Sequence, residues 1–191
     1  MKVLIIDNHD SFTYNLSQLV EKAGCSDITI IKNNCADFDA TCFDKIIFSP
    51  GAGIPAEEAG LMKFILKNFA ATKSILGICL GHQAIAEFYG AKLINLSKVY
   101  HGIKANIKII NSLENIFTGL TENICGGLYH SWGVSDLNFP ECLEITAVSE
   151  DGIIMGLSHK TYDIKGLQFH PESIMTEYGT SIIHNWLSKK I

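Results

Sequence analysis

Hydrophobic positions along this chain change their spacing in a regular way. Residues 3–6 form a short continuous apolar run, after which Leu16, Leu19, Val20 and Ala23 recur at helical spacing behind the polar pair Asp10-Ser11. That pattern predicts a buried strand followed by an amphipathic helix capped by the polar pair. Runs at 28–31 and 45–48 predict a second and a third strand, and Phe64-Ile65-Leu66 belongs to a helix. Residues 74–78 read as a short buried strand running straight into Cys79, with a further helix over 82–89. Strands alternating with helices are the signature of a parallel sheet covered on its faces. The second half changes character. Runs near 104–110, 143–148, 153–157 and 162–169 are β-rich, with turn residues such as Glu150-Asp151-Gly152 between them. Ile182, Ile183, Trp186 and Leu187 then mark a C-terminal amphipathic helix. The prediction is one α/β domain over residues 1–191: a mostly parallel central sheet flanked by helices, with a small antiparallel β region in the second half.

Composition narrows the classes of function. The 191 residues are 47% hydrophobic and 18% charged, enough to bury a sizeable core and unlike a disordered chain. A net charge of -5, with no basic run beyond Lys189-Lys190, argues against a nucleic-acid partner. The first apolar run is far too short for a signal peptide or a membrane span. A cytoplasmic location and no membrane partner are expected. Cys25, Cys35, Cys42, Cys79, Cys125 and Cys142 are irregularly spaced with no CxxC pair, so free thiols are expected rather than a disulfide scaffold or a zinc site. His9, His82, His101, His130, His159 and His184 lack metal-ligand spacing and read as structural, His82 as a cap of the helix that starts there. No metal and no organic cofactor is expected.

Three segments carry candidate chemistry. Gly77-Ile78-Cys79-Leu80-Gly81 has the G-x-nucleophile-x-G form, placed where a buried strand meets a helix. A nucleophile on so sharp a turn needs small neighbours, and the helix N-terminus beside it favours a thiolate. A buried cysteine between turn glycines is the plainer alternative. Gln168-Phe169-His170-Pro171-Glu172-Ser173 offers a base and a carboxylate to orient it, His170 standing at the end of a predicted strand. Singly, His170 and Glu172 are ordinary residues; their meaning lies in coming together with the elbow. Phe48-Ser49-Pro50-Gly51-Ala52-Gly53-Ile54-Pro55 is a rigid loop whose N–H groups could serve as an oxyanion hole, or simply an ordinary strand-to-helix loop.

Together, in this order, these segments resemble the class I, triad-type glutamine amidotransferases over essentially the whole chain. Within that class the resemblance is to the glutaminase subunits of anthranilate synthase and aminodeoxychorismate synthase. It is carried further by residues 6–16, by Tyr129-His130-Ser131, and by His170-Pro171-Glu172-Ser173-Ile174 leading into Thr176-Glu177-Tyr178-Gly179. The resemblance implies a flavodoxin-like sheet, Cys79 as nucleophile, His170 as acid and base, and Glu172 as its orienting carboxylate. It implies an oxyanion hole from the N–H groups of Gly51 and Leu80. Glutamine would be bound by Gly51, Ala52, Gly53, Gln83 and the backbone at Ser131-Trp132. It also implies ammonia transfer to a separate chorismate-binding synthase subunit in a hetero-oligomer, for anthranilate or aminodeoxychorismate synthesis.

Four positions depart from that pattern: His9 for tyrosine, Ala52 for proline, Trp132 for leucine, and Ile103 where lysine usually follows His101-Gly102. Two rival readings stand beside the glutaminase: a stand-alone cysteine hydrolase on a related sheet, and a non-catalytic regulatory subunit that kept the fold.

Overall fold

Alternation within the first strand sets both faces of the sheet. In β1 (Val3–Asn8), Val3 and Ile5 join one buried cluster while Leu4 and Ile6 join another on the opposite face. The computed structural model describes residues 1–35, 39–111 and 114–189; Lys190 of the terminal lysine pair lies outside them. Strand β1 pairs in parallel with β2 (Ile28–Lys32) and β3 (Lys45–Gly51), β3 with β4 (Ser74–Ile78), and β4 with β9 (Ile164–Leu167). The sheet continues antiparallel through β8 (Ile154–His159), β7 (Leu143–Ser149), β5 (Leu93–Ile109) and β6 (Asn123–Val134). Its order is β2-β1-β3-β4-β9-β8-β7-β5-β6. The α/β class is the expected one, and the antiparallel strands extend the parallel sheet without a break.

Helices cover both faces. On one side, α1 (Thr13–Lys22) buries Leu16 and Val20, and α5 (Gly179–Ser188) buries Ile182, Ile183, Trp186 and Leu187. On the other lie α2 (Pro55–Glu58), α3 (Gly60–Phe69) and α4 (Leu80–Phe88), with Met62, Ile65, Leu66, Ala84 and Ile85 in the core. Phe64 points outward from α3. Each fully buried side chain of this size contributes about 1.5–3 kcal/mol.

Several local expectations are corrected. Asp10-Ser11 does not cap α1: the helix opens at Thr13, and Asp10 instead accepts the Phe12 N–H in a tight turn at 2.7 Å. His82 does not cap α4, which begins two residues earlier at Leu80; its ring is fully buried, close enough to Gly166 that a Cβ there would lie 2.7 Å from Nδ1. Strand β5 begins at Leu93 and passes a bulge at Gly102, where φ is +68°, so one strand carries two changes of register. The sequence pattern also predicts no strand at β6, because Gly126, Gly127 and Gly133 dilute its apolar signal. At two of them the space is tight: a Cβ on Gly126 would meet Ile107 Cδ1 at 2.5 Å, and one on Gly127 would meet Ser173 Oγ at 2.6 Å.

Candidate active site

The carboxyl ends of β3, β4 and β9 converge on Cys79. This residue stands between β4 and α4 with φ 51° and ψ -100°, a conformation that costs a non-glycine residue on the order of 1–3 kcal/mol. Packing holds it there. A Cβ on Gly77 would lie 2.4 Å from the Gly81 carbonyl, and one on Gly81 would lie 2.6 Å from Phe48 Cβ. Both glycines of the elbow are therefore required by the approach of α4 to β3 and β4. The Cys79 N–H donates to the Leu167 carbonyl at 2.8 Å, tying the elbow to the end of β9. Leu80 opens α4, where first-turn N–H groups have no intrahelical acceptor.

Three residues beyond β9, His170 is clamped by its own backbone. Its N–H donates to Gly127 O at 3.0 Å, and its carbonyl accepts from Thr176 Oγ1 at 2.6 Å. Nδ1 meets Glu172 Oε1 at 2.6 Å, across the rigid Pro171. That leaves Nε2 for the Cys79 sulfur, a contact short of full hydrogen-bond geometry, as resting active sites often show. Burial alone pulls the His170 pKa down, but its interactions with Cys79 and Glu172 outweigh that and raise it. An imidazolium beside the sulfur favours the thiolate. All three side chains are buried, Cys79 at 5%, His170 at 2% and Glu172 at 9% exposure.

Residues 48–55 are expected to form a loop, but β3 runs on to Gly51, and this strand end lies against the elbow. Asn8 anchors it, donating from Nδ2 to Ser49 O at 2.6 Å and from its backbone N–H to Ser49 Oγ at 2.9 Å. A Cβ on Gly51 would meet Leu80 Cδ2 at 2.6 Å, so Gly51 lies against the Leu80 side chain, whereas Ala52 and Gly53 are exposed. Gln83 is buried, and its Nε2 donates to the Trp132 carbonyl at 2.9 Å and to Gln168 Oε1 at 3.0 Å. Ser131 and Trp132 are half-buried on β6, Trp132 joining this network through its backbone.

Sequence reasoning assigned no role to the aromatic wall of the site. Phe12 and Tyr129 meet the His170 ring edge-on at 5.6 and 4.8 Å, and Tyr129 OH shares a hydrogen bond with Ser173 Oγ at 3.1 Å. His101 packs on the outer side of Tyr129 at 5.9 Å, so the divergent His101-Gly102-Ile103 segment touches the site through that ring, while Lys104 is solvent-exposed. These residues sit inside or beside the quoted motifs, but spacing alone carries no sign of which rings turn inward.

A cysteine on a strained elbow, a histidine held by a carboxylate and a glycine loop alongside can together perform nucleophilic acyl transfer. Among the described residues no group of three or more His, Cys, Asp or Glu side chains is placed to hold a metal ion, and no helix is long and apolar enough to cross a membrane. That arrangement of fold and site is the kind that a cysteine-dependent acyl-transfer enzyme uses. Comparison with known proteins narrows the class: the description of class-I glutamine amidotransferases matches residues 4–190, and the chain belongs to that family. It is 40% identical to aminodeoxychorismate synthase component 2 of Escherichia coli, over 98% of this chain and 100% of that protein. It is also 40% identical to anthranilate synthase component 2 of Pyropia yezoensis, over 97% and 98% of the two chains. Among solved structures, a candidate GMP synthase subunit from Thermoplasma acidophilum matches with a TM-score of 0.87 at 29% identity, covering 98% of this chain and 92% of that one.

Proposed function

We propose that this chain is a single-domain glutaminase subunit that supplies ammonia to a chorismate-aminating synthase subunit. The observation that carries the reading is His170 held at 2.6 Å by Glu172 with its other nitrogen turned to a cysteine on a strained elbow. The Cys79 thiolate attacks the side-chain amide carbon of glutamine, and the N–H groups of Gly51 and Leu80 receive the developing oxyanion. His170, as imidazolium, protonates the departing ammonia, and a γ-glutamyl thioester remains on Cys79. The now neutral His170 draws a proton from water, whose oxygen attacks the thioester and releases glutamate. Glu172 keeps the imidazole in one orientation through both steps. Gln83, with Gly51, Ala52, Gly53 and the backbone at Ser131-Trp132, holds the α-amino and α-carboxylate ends of the substrate.

The partner assignment draws on relatives named as component 2 of anthranilate and aminodeoxychorismate synthases, which this chain matches over nearly its full length. The product is tested on the complex purified from source cells, given glutamine and chorismate, with the aminated product identified by mass spectrometry. Anthranilate assigns the chain to tryptophan synthesis, aminodeoxychorismate to folate synthesis, and both together to a role shared between them. If ammonia is used as donor but glutamine is not, the proposal fails.

A further inference from the structure

Gln168 touches the reacting sulfur, and the surrounding hydrogen bonds fix which end of its amide does so. The Trp132 carbonyl can only accept, so the Gln83 group 2.9 Å from it is the amide nitrogen. That same nitrogen lies 3.0 Å from Gln168, so the atom it meets there is the Gln168 oxygen. The remaining end, Nε2, then faces Cys79 Sγ at 3.5 Å. A chain of one backbone carbonyl and two amides thus delivers an N–H to the sulfur. The backbone supports it: Gln168 N–H donates to Met155 O at 2.9 Å, the neighbouring Leu167 carbonyl accepts from Cys79 N–H at 2.8 Å, and the Gln168 side chain is fully buried.

We propose that Gln168 is a hydrogen-bond donor to the reacting thiolate, oriented by Gln83 and the Trp132 carbonyl. This rests on the reading of Cys79 as the nucleophile and adds a second group, besides His170, that stabilises the anionic sulfur before attack. A donor to an ionised acceptor is stronger than one to a neutral acceptor, so the bond favours the thiolate over the thiol. It also ties the nucleophile to Gln83, the side chain assigned to the substrate, so that occupation of the glutamine site and poise of the sulfur share one hydrogen-bond chain.

Two variants separate this role from packing. Gln168→Glu keeps the shape and an oxygen for Gln83 but turns an acceptor toward the sulfur; Gln168→Met removes both polar ends. The readout is the ultraviolet thiolate absorbance as a function of pH, taken as the difference between each protein and its counterpart carrying Cys79→Ser, with folding checked by circular dichroism. The proposal predicts that the Cys79 signal rises at higher pH in both variants, by about one pH unit for Gln168→Met and by more for Gln168→Glu. The acid limb of kcat/KM with glutamine moves in the same order. Unchanged profiles in the two variants, or a shift in Gln168→Met with none in Gln168→Glu, overturn the donor role. If the unsubstituted protein has no Cys79-dependent signal and Cys79→Ser still hydrolyses glutamine, the active-site reading itself has failed instead.

Discussion

The strands β3, β4 and β9 carry a buried polar cluster at each end, and the two clusters are built on opposite principles. At the amino ends, Lys45 lies opposite Ser74, Ile75 N–H donates to the Asp163 carbonyl, and Lys165 stands two residues further along β9, opposite Leu76. Lys165 pairs with Asp163 at 2.8 Å and Glu114 at 3.2 Å, Lys189 pairs with Asp163 at 2.9 Å, and Lys45 donates to the Lys189 carbonyl while lying 5.0 Å over the Trp186 ring. Opposite charges meet there, on residues none of which has a positive φ. At the carboxyl ends one buried pair, His170 and Glu172, stands beside Cys79, whose backbone is strained. One end of the sheet joins several charged groups in mutual pairing; the other sets a single pair beside a strained cysteine.

The largest effects are expected at the carboxyl end. Cys79→Ala lowers glutamine-dependent synthesis by on the order of 10⁴-fold or more, while ammonia-dependent synthesis by the complex and the unfolding midpoint remain as before. Glu172→Gln follows with a loss of about 10²–10⁴-fold in kcat, since His170 then lacks its charged anchor, and steady-state ammonia release measures it. At the amino end the signs reverse. Asp163→Asn destabilises the fold by about 3 kcal/mol in urea titration, because it strips Lys165 of a buried partner, yet leaves kcat for glutamine within about twofold. Burial alone would raise the Asp163 pKa, but the hydrogen bonds from Lys165 and Ser74 and the nearby lysine charges hold it well below the usual range. Its stabilisation is therefore complete above the unfolded carboxylate pKa and is lost as pH falls below it, and in Asp163→Asn that acid-side loss is absent.

His82 sharpens the comparison, since it is a titratable group fully buried in α4 against Gly166 of β9. Burial lowers its pKa to about 3, so it is neutral in the fold and protonates in the unfolded chain near 6.5. Stability from this group is whole above the unfolded value and declines as pH falls toward 3, by about 1.4 kcal/mol per pH unit. Replacing it in His82→Gln flattens the loss between pH 7 and pH 5 by about 2 kcal/mol in paired denaturant titrations. The smallest effect belongs to the exposed Lys108–Glu122 pair at 3.3 Å, where Lys108→Ala changes stability by less than about 1 kcal/mol.

The parallel half of the fold was legible because its strands are continuous apolar runs and its helices keep one buried face; 74–78 coincides with β4. The antiparallel half was harder, since β5 is mostly exposed and bulged and β6 is rich in glycine. The elbow glycines were legible through sterics, and Glu172 lies two residues from His170, a separation that the turn at Pro171 closes. The oxyanion and glutamine-binding assignments came from resemblance. What spacing could not disclose is contact between distant segments: Phe12 and Tyr129 against His170, or Gln83 through Gln168 to Cys79. Those depend on side-chain direction at the ends of strands, where no period constrains it.

The most direct test of the central claim is to mix the complex with glutamine, quench in acid within one turnover, and sequence the cysteine peptides by mass spectrometry. A γ-glutamyl thioester on Cys79 alone, lost in Cys79→Ala and persisting longer in Glu172→Gln, is the predicted result. An adduct on another cysteine, or none while ammonia is being released from glutamine, would contradict the account.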